Sequence, residues 1–370
     1  MRLVALFTPV LLLLWSFSFS AQTNYTSIFS FGDSFTDTGN FVIIGGPTTP
    51  GLLIINPPYG MTFFGHPTGR ISDGRLAIDF IAEALGLPLL PPSMAANQSF
   101  RQGANFAVAG ATALNQTFFV QDGDTSVTKY NTSLTDQLGW FDAMKPSLCN
   151  SPKACQDFFA TTLFVIGEFG WNDYAFMLMA GKSVDQVRPR VPLVVGTICA
   201  AAEKLIRAGG KTVVVTGVPP LGCTPGNLVS FASHDAAAYE PDTGCLKDLN
   251  LLSREHNSQL RQAMARLGGR HPGVRIIYAD FYEPIINFAA APGGYGFDAA
   301  DGGLRCCCGG GGGRYNFNYS AVCGMAGVRA CADPAAFVNW DGIHLTEAAN
   351  RRVADGWLRG PYAHPPILNS

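Results

Sequence analysis

The feature that most constrains the fold of this chain is a set of short, continuously apolar segments, most of them rich in valine and isoleucine. They are Ser27–Phe31, Thr162–Ile166, Thr212–Thr216 and Val274–Asp280. A strand that faces water on one side alternates apolar and polar residues, whereas a continuously apolar strand is typical of a parallel sheet buried on both faces. We therefore expect a parallel sheet with helices on both sides.

Helical patterns separate these predicted strands. Val191–Ala208 is rich in alanine and is followed by Gly209–Gly210, and an apolar face with a spacing of three or four residues extends over Leu249–Leu267 before Gly268–Gly269. Glycine pairs are expected helix ends. The alternation of strand and helix predicts a three-layer α/β sandwich in one domain, with the strand ends that form a site on one edge of the sheet.

Two segments fit neither pattern. Phe41–Arg70 is rich in glycine, proline and threonine, so we expect a long loop beside the site. Cys306–Arg314 is a glycine tract whose cysteines we expect to fix its start, and it lacks the GKS or GKT that ends a phosphate-binding loop.

The amino-terminal residues resemble an export signal. Arg2 precedes an apolar run, Leu3–Trp15, which is followed by small residues and is shorter than the roughly 20 residues that span a bilayer. We predict a signal peptide over residues 1–21, a mature domain over residues 22–370 and no transmembrane segment. The product is then secreted, to the extracellular space or cell wall, with the lumen of the endomembrane system as an alternative.

Export would account for other features of the composition. Only 14% of the residues are charged, and N-linked glycans would solvate such a surface. The candidate acceptors are Asn24, Asn97, Asn115, Asn131 and Asn318. Nucleic acid is not an expected partner, because 25 basic residues against 27 acidic ones form no clustered basic surface.

Ten cysteines also suit an oxidising compartment. We predict that Cys149 bonds Cys155, that Cys223 bonds Cys245, and that Cys199, in an apolar helical segment, stays reduced. Five more cysteines form a carboxy-terminal group, Cys306, Cys307, Cys308, Cys323 and Cys331. A zinc site is the alternative for this group, but it contains no histidine and no CxxC spacing, so disulfides are favoured.

The segment Phe31–Asn40, with the sequence FGDSFTDTGN, contains the first candidate catalytic residue. A serine hydroxyl needs a base to remove its proton, so a nucleophilic serine must stand on an exposed turn within reach of a histidine. Ser34 follows a predicted strand and a glycine, which together supply such a turn. Taken alone, Gly-Asp-Ser is also an ordinary turn sequence.

The second candidate group is in Val338–Thr346. Asp341 and His344 are three residues apart, close enough for the carboxylate to accept from one imidazole nitrogen while the other faces a serine. The alternative is a turn aspartate and a structural histidine, with Thr346 capping the last helix in either case.

These segments, in this order, resemble the plant-type GDSL esterases and lipases of the SGNH hydrolase family. Two intermediate blocks strengthen the resemblance, Gly103–Leu114 and the Gly-x-Asn-Asp pattern of Gly170–Tyr174. Further similarity appears at Gly217–Cys223, Cys307–Gly309 and Tyr315–Asn318. The resemblance covers essentially the whole mature chain and implies a flavodoxin-like α/β/α fold with a parallel sheet of about five strands.

Residue by residue, the resemblance assigns Ser34 as the nucleophile, His344 as the base and Asp341 as the acid that orients it. It also assigns an oxyanion hole to the backbone N–H groups of Ser34 and Gly110 and the side-chain amide of Asn172. Attack on an ester carbonyl places negative charge on its oxygen, and fixed donors of this kind stabilise that charge. This chemistry needs no metal and no organic cofactor.

The chain departs from the family pattern at two places. Trp171 stands where close relatives often have glycine, which affects the expected acyl pocket. The usual cysteine pair is a triplet here, and we expect the added Cys306 to lack a partner.

The resulting prediction is a secreted carboxylic ester hydrolase that acts through an acyl-enzyme on lipid, acetylated-glycan or specialised-metabolite esters. One alternative is an acyltransferase that uses the same serine, histidine and aspartate to move the acyl group to an alcohol. The other is a binding protein that has lost catalysis, but such a protein would be expected to lack one of the catalytic or oxyanion residues, and all are present.

Overall fold

The computed structural model describes residues 25–46, 52–121, 123 and 132–368. Its centre is a six-stranded sheet in the order β2-β1-β3-β4-β5-β6. The strands are β1 Ser27–Phe31, β2 Gly103–Asn105, β3 Thr162–Ile166, β4 Thr212–Thr216, β5 Arg275–Ala279 and β6 Ala363–His364. The first five are parallel, in the order of a flavodoxin-like fold, and the two-residue β6 pairs antiparallel with β5. The predicted fold class is confirmed, with β6 as an addition.

Helices follow the strands along the chain. In the first half they are α1 Asn40–Gly45, α2 Ala77–Ala84, α3 Gln116–Gln121, α4 Leu134–Leu148, α5 Pro152–Ala160 and α6 Trp171–Met179. In the second half they are α7 Val184–Val187, α8 Val191–Arg207, α9 Pro225–Ser230, α10 Lys247–Arg270, α11 Tyr282–Ala290 and α12 Glu347–Arg359. None of these helices has the length and apolar character required to cross a bilayer.

Side chains on the two faces of the sheet contact different helices. Phe164 of β3 packs on Phe141 of α4 and Phe159 of α5, with ring centres 5.7 and 5.5 Å apart. The next residue, Val165, points to the other face, where it lines a small cavity with Ile81 of α2 and Trp357 of α12. Successive residues of β3 are therefore buried in opposite layers, which explains the continuous apolar sequence of these strands.

Two segments differ from the sequence-based expectation. The predicted loop Phe41–Arg70 includes most of α1 and a 3-10 turn, Leu53–Ile55. The glycine pair Gly268–Gly269 lies inside α10, which continues to Arg270. Nothing lies within 4 Å of a Cβ atom placed at either glycine, so these two positions are open, and the packing of α10 on α8 maintains the helix past them.

The cysteines pair as disulfides in the structure. Cys149 bonds Cys155 and Cys223 bonds Cys245, as predicted, while Cys199 and the buried Cys306 are free. The carboxy-terminal group forms two further disulfides, Cys307–Cys331 and Cys308–Cys323. Four of its five thiols are thus used in bonds to one another, which favours the disulfide interpretation over zinc.

A second apolar cluster lies outside the main core and joins distant loops. We call it the loop cluster, and its buried members are Leu52, Ile54, Tyr59, Ile71, Ala109, Cys307, Cys308, Cys323 and Trp340. It packs the segment after α1 against the segment that precedes α12. The cluster therefore supports the residues that immediately follow Trp340.

Candidate active site

The turn after β1 places Ser34 at the carboxyl edge of the sheet. The N–H groups of Thr36 and Asp37 donate to the Asp33 carbonyl over 3.1 and 2.9 Å, and the Phe35 N–H donates to Asp33 Oδ1 over 3.0 Å. Ser34 is 7% exposed, so its hydroxyl stands in a narrow opening rather than on a free surface.

A helix on one face of the sheet fixes the residue at the base of this turn. Gln137 of α4 donates from Nε2 to the Gly32 carbonyl over 2.8 Å and accepts the Gly32 N–H at Oε1 over 3.0 Å. Both backbone polar groups of Gly32 are satisfied by one buried side chain, which holds the end of β1 in place.

Asp341 and His344 form a closed pair in the loop before α12. His344 Nδ1 lies 2.9 and 3.0 Å from the two carboxylate oxygens, and the His344 backbone N–H also donates to Oδ1 over 3.0 Å. Burial opposes ionisation of Asp341, but the interaction with His344 and the backbone N–H donors outweigh it and lower the pKa of Asp341 to about 2. A carboxylate in this state accepts from Nδ1–H and leaves Nε2 as the basic nitrogen.

The basic nitrogen lies next to the serine turn. The His344 ring centre is 5.4 Å from that of Phe35, the residue after Ser34, and His344 is close enough to Asp33 to stabilise its charge. Among the described residues, His344 Nε2 has no hydrogen-bond partner although it is buried, and no Ser34–His344 hydrogen bond is formed. Catalytic hydrogen bonds are often long in unliganded enzymes and tighten when substrate binds.

Gly110 lies on the segment after β2, the strand beside β1. Its φ of +79° falls in the left-handed region that favours glycine. The preceding N–H, of Ala109, donates to Asp37 Oδ2 over 2.9 Å, which ties this segment to the serine turn. Within the described chain the N–H groups of Ser34 and Gly110 donate to no protein acceptor, so both are available to a ligand.

Asn172 lies in the first turn of α6, after β3 on the other side of β1. Its Nδ2 donates to Asp33 Oδ2 over 2.8 Å and to the Ala111 carbonyl over 2.9 Å. Both amide protons are therefore engaged in the unliganded structure. Donation to a substrate oxygen requires exchange of one of these two acceptors.

All five predicted site residues therefore meet at one edge of the sheet. Ser34, Gly110 and Asn172 follow the adjacent strands β1, β2 and β3, with the serine in the centre, and Asp341 and His344 reach them from the loop before α12. The catalytic role of each residue remains a prediction. The side chain of Trp171, by contrast, is 5% exposed and lies in the protein interior.

Tyr59 was not anticipated from the sequence. It belongs to the loop cluster, and its hydroxyl donates to Asp341 Oδ2 over 2.9 Å, so the carboxylate is held from the side opposite its own backbone donors. No local signal in the sequence marks Tyr59, because only the folding of the loop cluster brings it to Asp341.

Glu168 and Asp37 were also missed. Asp37 accepts four backbone N–H groups, from Gly39, Asn40, Phe41 and Ala109. Glu168 is 1% exposed, follows β3 and lies beside Asp33, and within the described chain its Oε2 is buried without a hydrogen-bond partner. An acidic residue directly after the glycine that ends a buried strand is a signal that could have identified Glu168.

The chain is similar over most of its length to known proteins of one family. The family model GDSL-like Lipase/Acylhydrolase matches residues 28–357. A GDSL esterase/lipase of Arabidopsis thaliana is 45% identical over 99% of this chain and 92% of its own length. The sinapine esterase of Brassica napus is 44% identical over 92% of this chain and 87% of its own length. Among solved structures, a phospholipase A1 from Streptomyces albidoflavus aligns over 90% of this chain and 96% of its own, with 13% identity and a TM-score of 0.34.

Proposed function

The chain belongs to the GDSL-like lipase/acylhydrolase family and is a carboxylic ester hydrolase, and we propose that it acts through an acyl-enzyme formed on Ser34. The observation that carries the proposal is the buried Asp341–His344 pair, whose free Nε2 lies beside the turn of Ser34.

In the first half of the reaction Ser34 Oγ attacks the ester carbonyl while His344 Nε2 takes the hydroxyl proton. Asp341 stabilises the imidazolium through its contact with Nδ1–H. The C–O bond to the alcohol then breaks, and the alcohol leaves with the proton from Nε2. In the second half water gives a proton to Nε2 and attacks the acyl carbonyl. The bond between the acyl carbon and Ser34 Oγ then breaks, the acid leaves, and Nε2 returns its proton to Oγ.

Negative charge on the carbonyl oxygen is stabilised by the N–H groups of Ser34 and Gly110, which have no competing acceptor in the described chain. Asn172 supplies the third donor when its amide exchanges the Ala111 carbonyl for the substrate oxygen, while the bond to Asp33 keeps the amide oriented.

We test the proposal with Ser34→Ala. This variant should fold normally, lose labelling by an organophosphonate and lose several orders of magnitude in turnover. His344→Ala should cost a similar amount, and the double variant should be no worse, because both residues act in one proton transfer. A Ser34→Ala protein that still hydrolyses its ester at near the wild-type rate would refute the mechanism.

Acyl transfer to an alcohol uses the same residues and differs in the second step, where the alcohol replaces water. The assay therefore measures free acid against new ester in the presence and absence of acceptor alcohols. Substrates for the first screen are acetyl, butyryl and long-chain esters and acetylated glycans. Sinapine joins them because one relative is named for its cleavage.

Secretion is part of the same proposal. The four disulfides support an oxidising compartment, and the candidate glycan acceptors Asn97, Asn115 and Asn318 are exposed. The predicted signal peptide, Asn24 and Asn131 lie outside the described residues. Amino-terminal sequencing of the mature protein and its mass before and after deglycosylation test this part.

A further inference from the structure

Two buried carboxyl groups meet beneath the serine turn. Asp33 is fully enclosed and Glu168 is 1% exposed, and the two side chains are neighbours. Within the described chain Glu168 Oε2 is buried and has no hydrogen-bond partner. Two neighbouring carboxyl groups in the protein interior are not both ionised, and a proton on Glu168 Oε2 would let this otherwise unpartnered atom donate to Asp33, so we expect the pair to hold one proton. In the reaction described above Asp33 only orients the Asn172 amide, and Glu168 has no part.

The backbone and amide donors decide which member keeps the proton. Asp33 accepts from the Phe35 N–H over 3.0 Å and from Asn172 Nδ2 over 2.8 Å. In the part of the chain that the structure describes, Glu168 accepts from the Trp171 N–H alone, over 2.8 Å. More donors stabilise charge on Asp33, so the proton belongs on Glu168. Burial and the charge of Asp33 also raise the pKa of Glu168 well above its usual value, whereas burial raises that of Asp33 to about 6.

Other charged and titratable groups also face the pair. Asp173 and Tyr174 of α6 lie on one side and His344 reaches Asp33 from the loop before α12. A small cavity beside Glu168 is lined mainly by apolar side chains, from α2, β3 and α12, together with Thr36 and Thr216. Of these groups only His344 becomes a cation, and it does so when it takes the serine proton.

We propose that Glu168, as the proton-bearing member of this pair, is a positioning residue for the oxyanion hole. The inference rests on the proposed function. The carboxylic O–H of Glu168 donates to Asp33, and Asp33 in turn holds the amide of Asn172 with its nitrogen toward the site. The other oxygen of Glu168, Oε1, accepts the first N–H of α6, the helix that carries Asn172. Loss of the proton would add a second negative charge below the place where the carbonyl oxygen becomes negative.

Glutamine and leucine at position 168 separate this role from simple packing. In Glu168→Gln the amide nitrogen donates to Asp33, the carbonyl accepts from the Trp171 N–H, and no proton can be lost. We expect this variant to retain at least about a third of wild-type kcat. Glu168→Leu removes the donor and should lower kcat by about 100-fold with little change in KM, as for loss of an oxyanion donor. Exposed Glu283→Gln is the control for a change of charge elsewhere.

A double-variant cycle with Asn172→Ala is the decisive measurement. If Glu168 acts through the Asn172 amide, Glu168→Leu should cost less than about 3-fold once Asn172 is alanine. Equal losses of kcat in Glu168→Gln and Glu168→Leu would overturn the inference. So would a loss of kcat caused by Glu168→Leu that is as large with Asn172→Ala as without it. If Glu168→Leu does not fold, the Glu168→Gln variant decides the test. A 100-fold loss of kcat in Glu168→Gln would overturn the inference, whereas retention of at least about a third of wild-type kcat would support it.

Ser34→Ala is measured in parallel. If that variant stays active, the proposed function fails, whatever the result at position 168. If it is inactive and the results at position 168 differ from those expected, only the positioning role of Glu168 fails.

Discussion

At the scale of single residues, the orientation of His344 depends on a carboxylate held from two sides. Asp341 accepts from the His344 ring and from two backbone N–H groups of its own turn, and Tyr59 donates to it from a separate loop. The pair is thus fixed by both local and distant parts of the chain.

Removal of the distant contact should reduce turnover without abolishing it. Tyr59→Phe should lower kcat on the order of 10-fold, because a hydrogen bond to a charged group is worth roughly 1.5–3 kcal/mol and Asp341 keeps its other donors. Steady-state kinetics with Tyr319→Phe as the exposed control measures this. Unchanged kcat in Tyr59→Phe would show that the local donors suffice.

At the scale of elements, the carboxy-terminal disulfides support the loop that carries the acid and base. The Cys307 N–H donates to the Asn339 carbonyl over 2.9 Å, two residues before Asp341, and the Cys331 N–H donates to the Cys307 carbonyl over 2.7 Å. The Cys307–Cys331 bond therefore lies on the strand-like contact that positions this loop.

Loss of this bond should affect both stability and activity. Cys307→Ser with Cys331→Ser should lower the free energy of unfolding by about 2–5 kcal/mol and reduce kcat at a temperature where the protein remains folded. The matched control removes Cys149–Cys155, which joins the end of α4 to α5 and should cost stability alone. Equal kcat in the two paired variants would argue against a positioning role for the Cys307–Cys331 bond.

The elements that could be predicted from the sequence are those with a local physical signal. Continuous apolar runs identified β1, β3 and β4 to the residue. In contrast, β2 was recognised only as part of a sequence motif, because it is three residues long, Gly-Ala-Asn, and contains no β-branched residue. Similarly, Ser34, Asp341 and His344 stand in recognisable sequence blocks. Tyr59 and Glu168 do not, because their roles come from contacts between segments that only the folded sheet brings together.

At the scale of the whole molecule, buried carboxyl groups make stability depend on pH. Burial raises the pKa of Asp33 to about 6 and of Asp173 to about 7, above the value of about 3.9 in an unfolded chain. Between these values the folded protein binds more protons than the unfolded chain, so this stabilisation is complete below about pH 4 and is lost as pH rises through 6 and 7.

We expect a higher melting temperature at pH 6 than at pH 8. His256 opposes this trend only between pH 6.5 and pH 6, because burial lowers the pKa of His256 to about 3 and its stabilisation is lost as pH falls below about 6.5. The buried carboxyl groups gain stabilisation over the whole interval from pH 8 to pH 6 and should outweigh it. Thermal unfolding in buffers of equal ionic strength measures the difference. Asp173→Asn should reduce the pH dependence, and a melting temperature that rises from pH 6 to pH 8 would contradict the assignment.

The position of the site along the chain also has a consequence for protein synthesis. Ser34 follows β1, whereas Asp341 and His344 lie just before α12, so the ribosome makes the serine turn and all five parallel strands before the base. A nascent chain that already contains a folded sheet still has a serine without its proton acceptor. Catalytic competence therefore begins only when translation has passed His344, and incomplete chains should be inert toward esters.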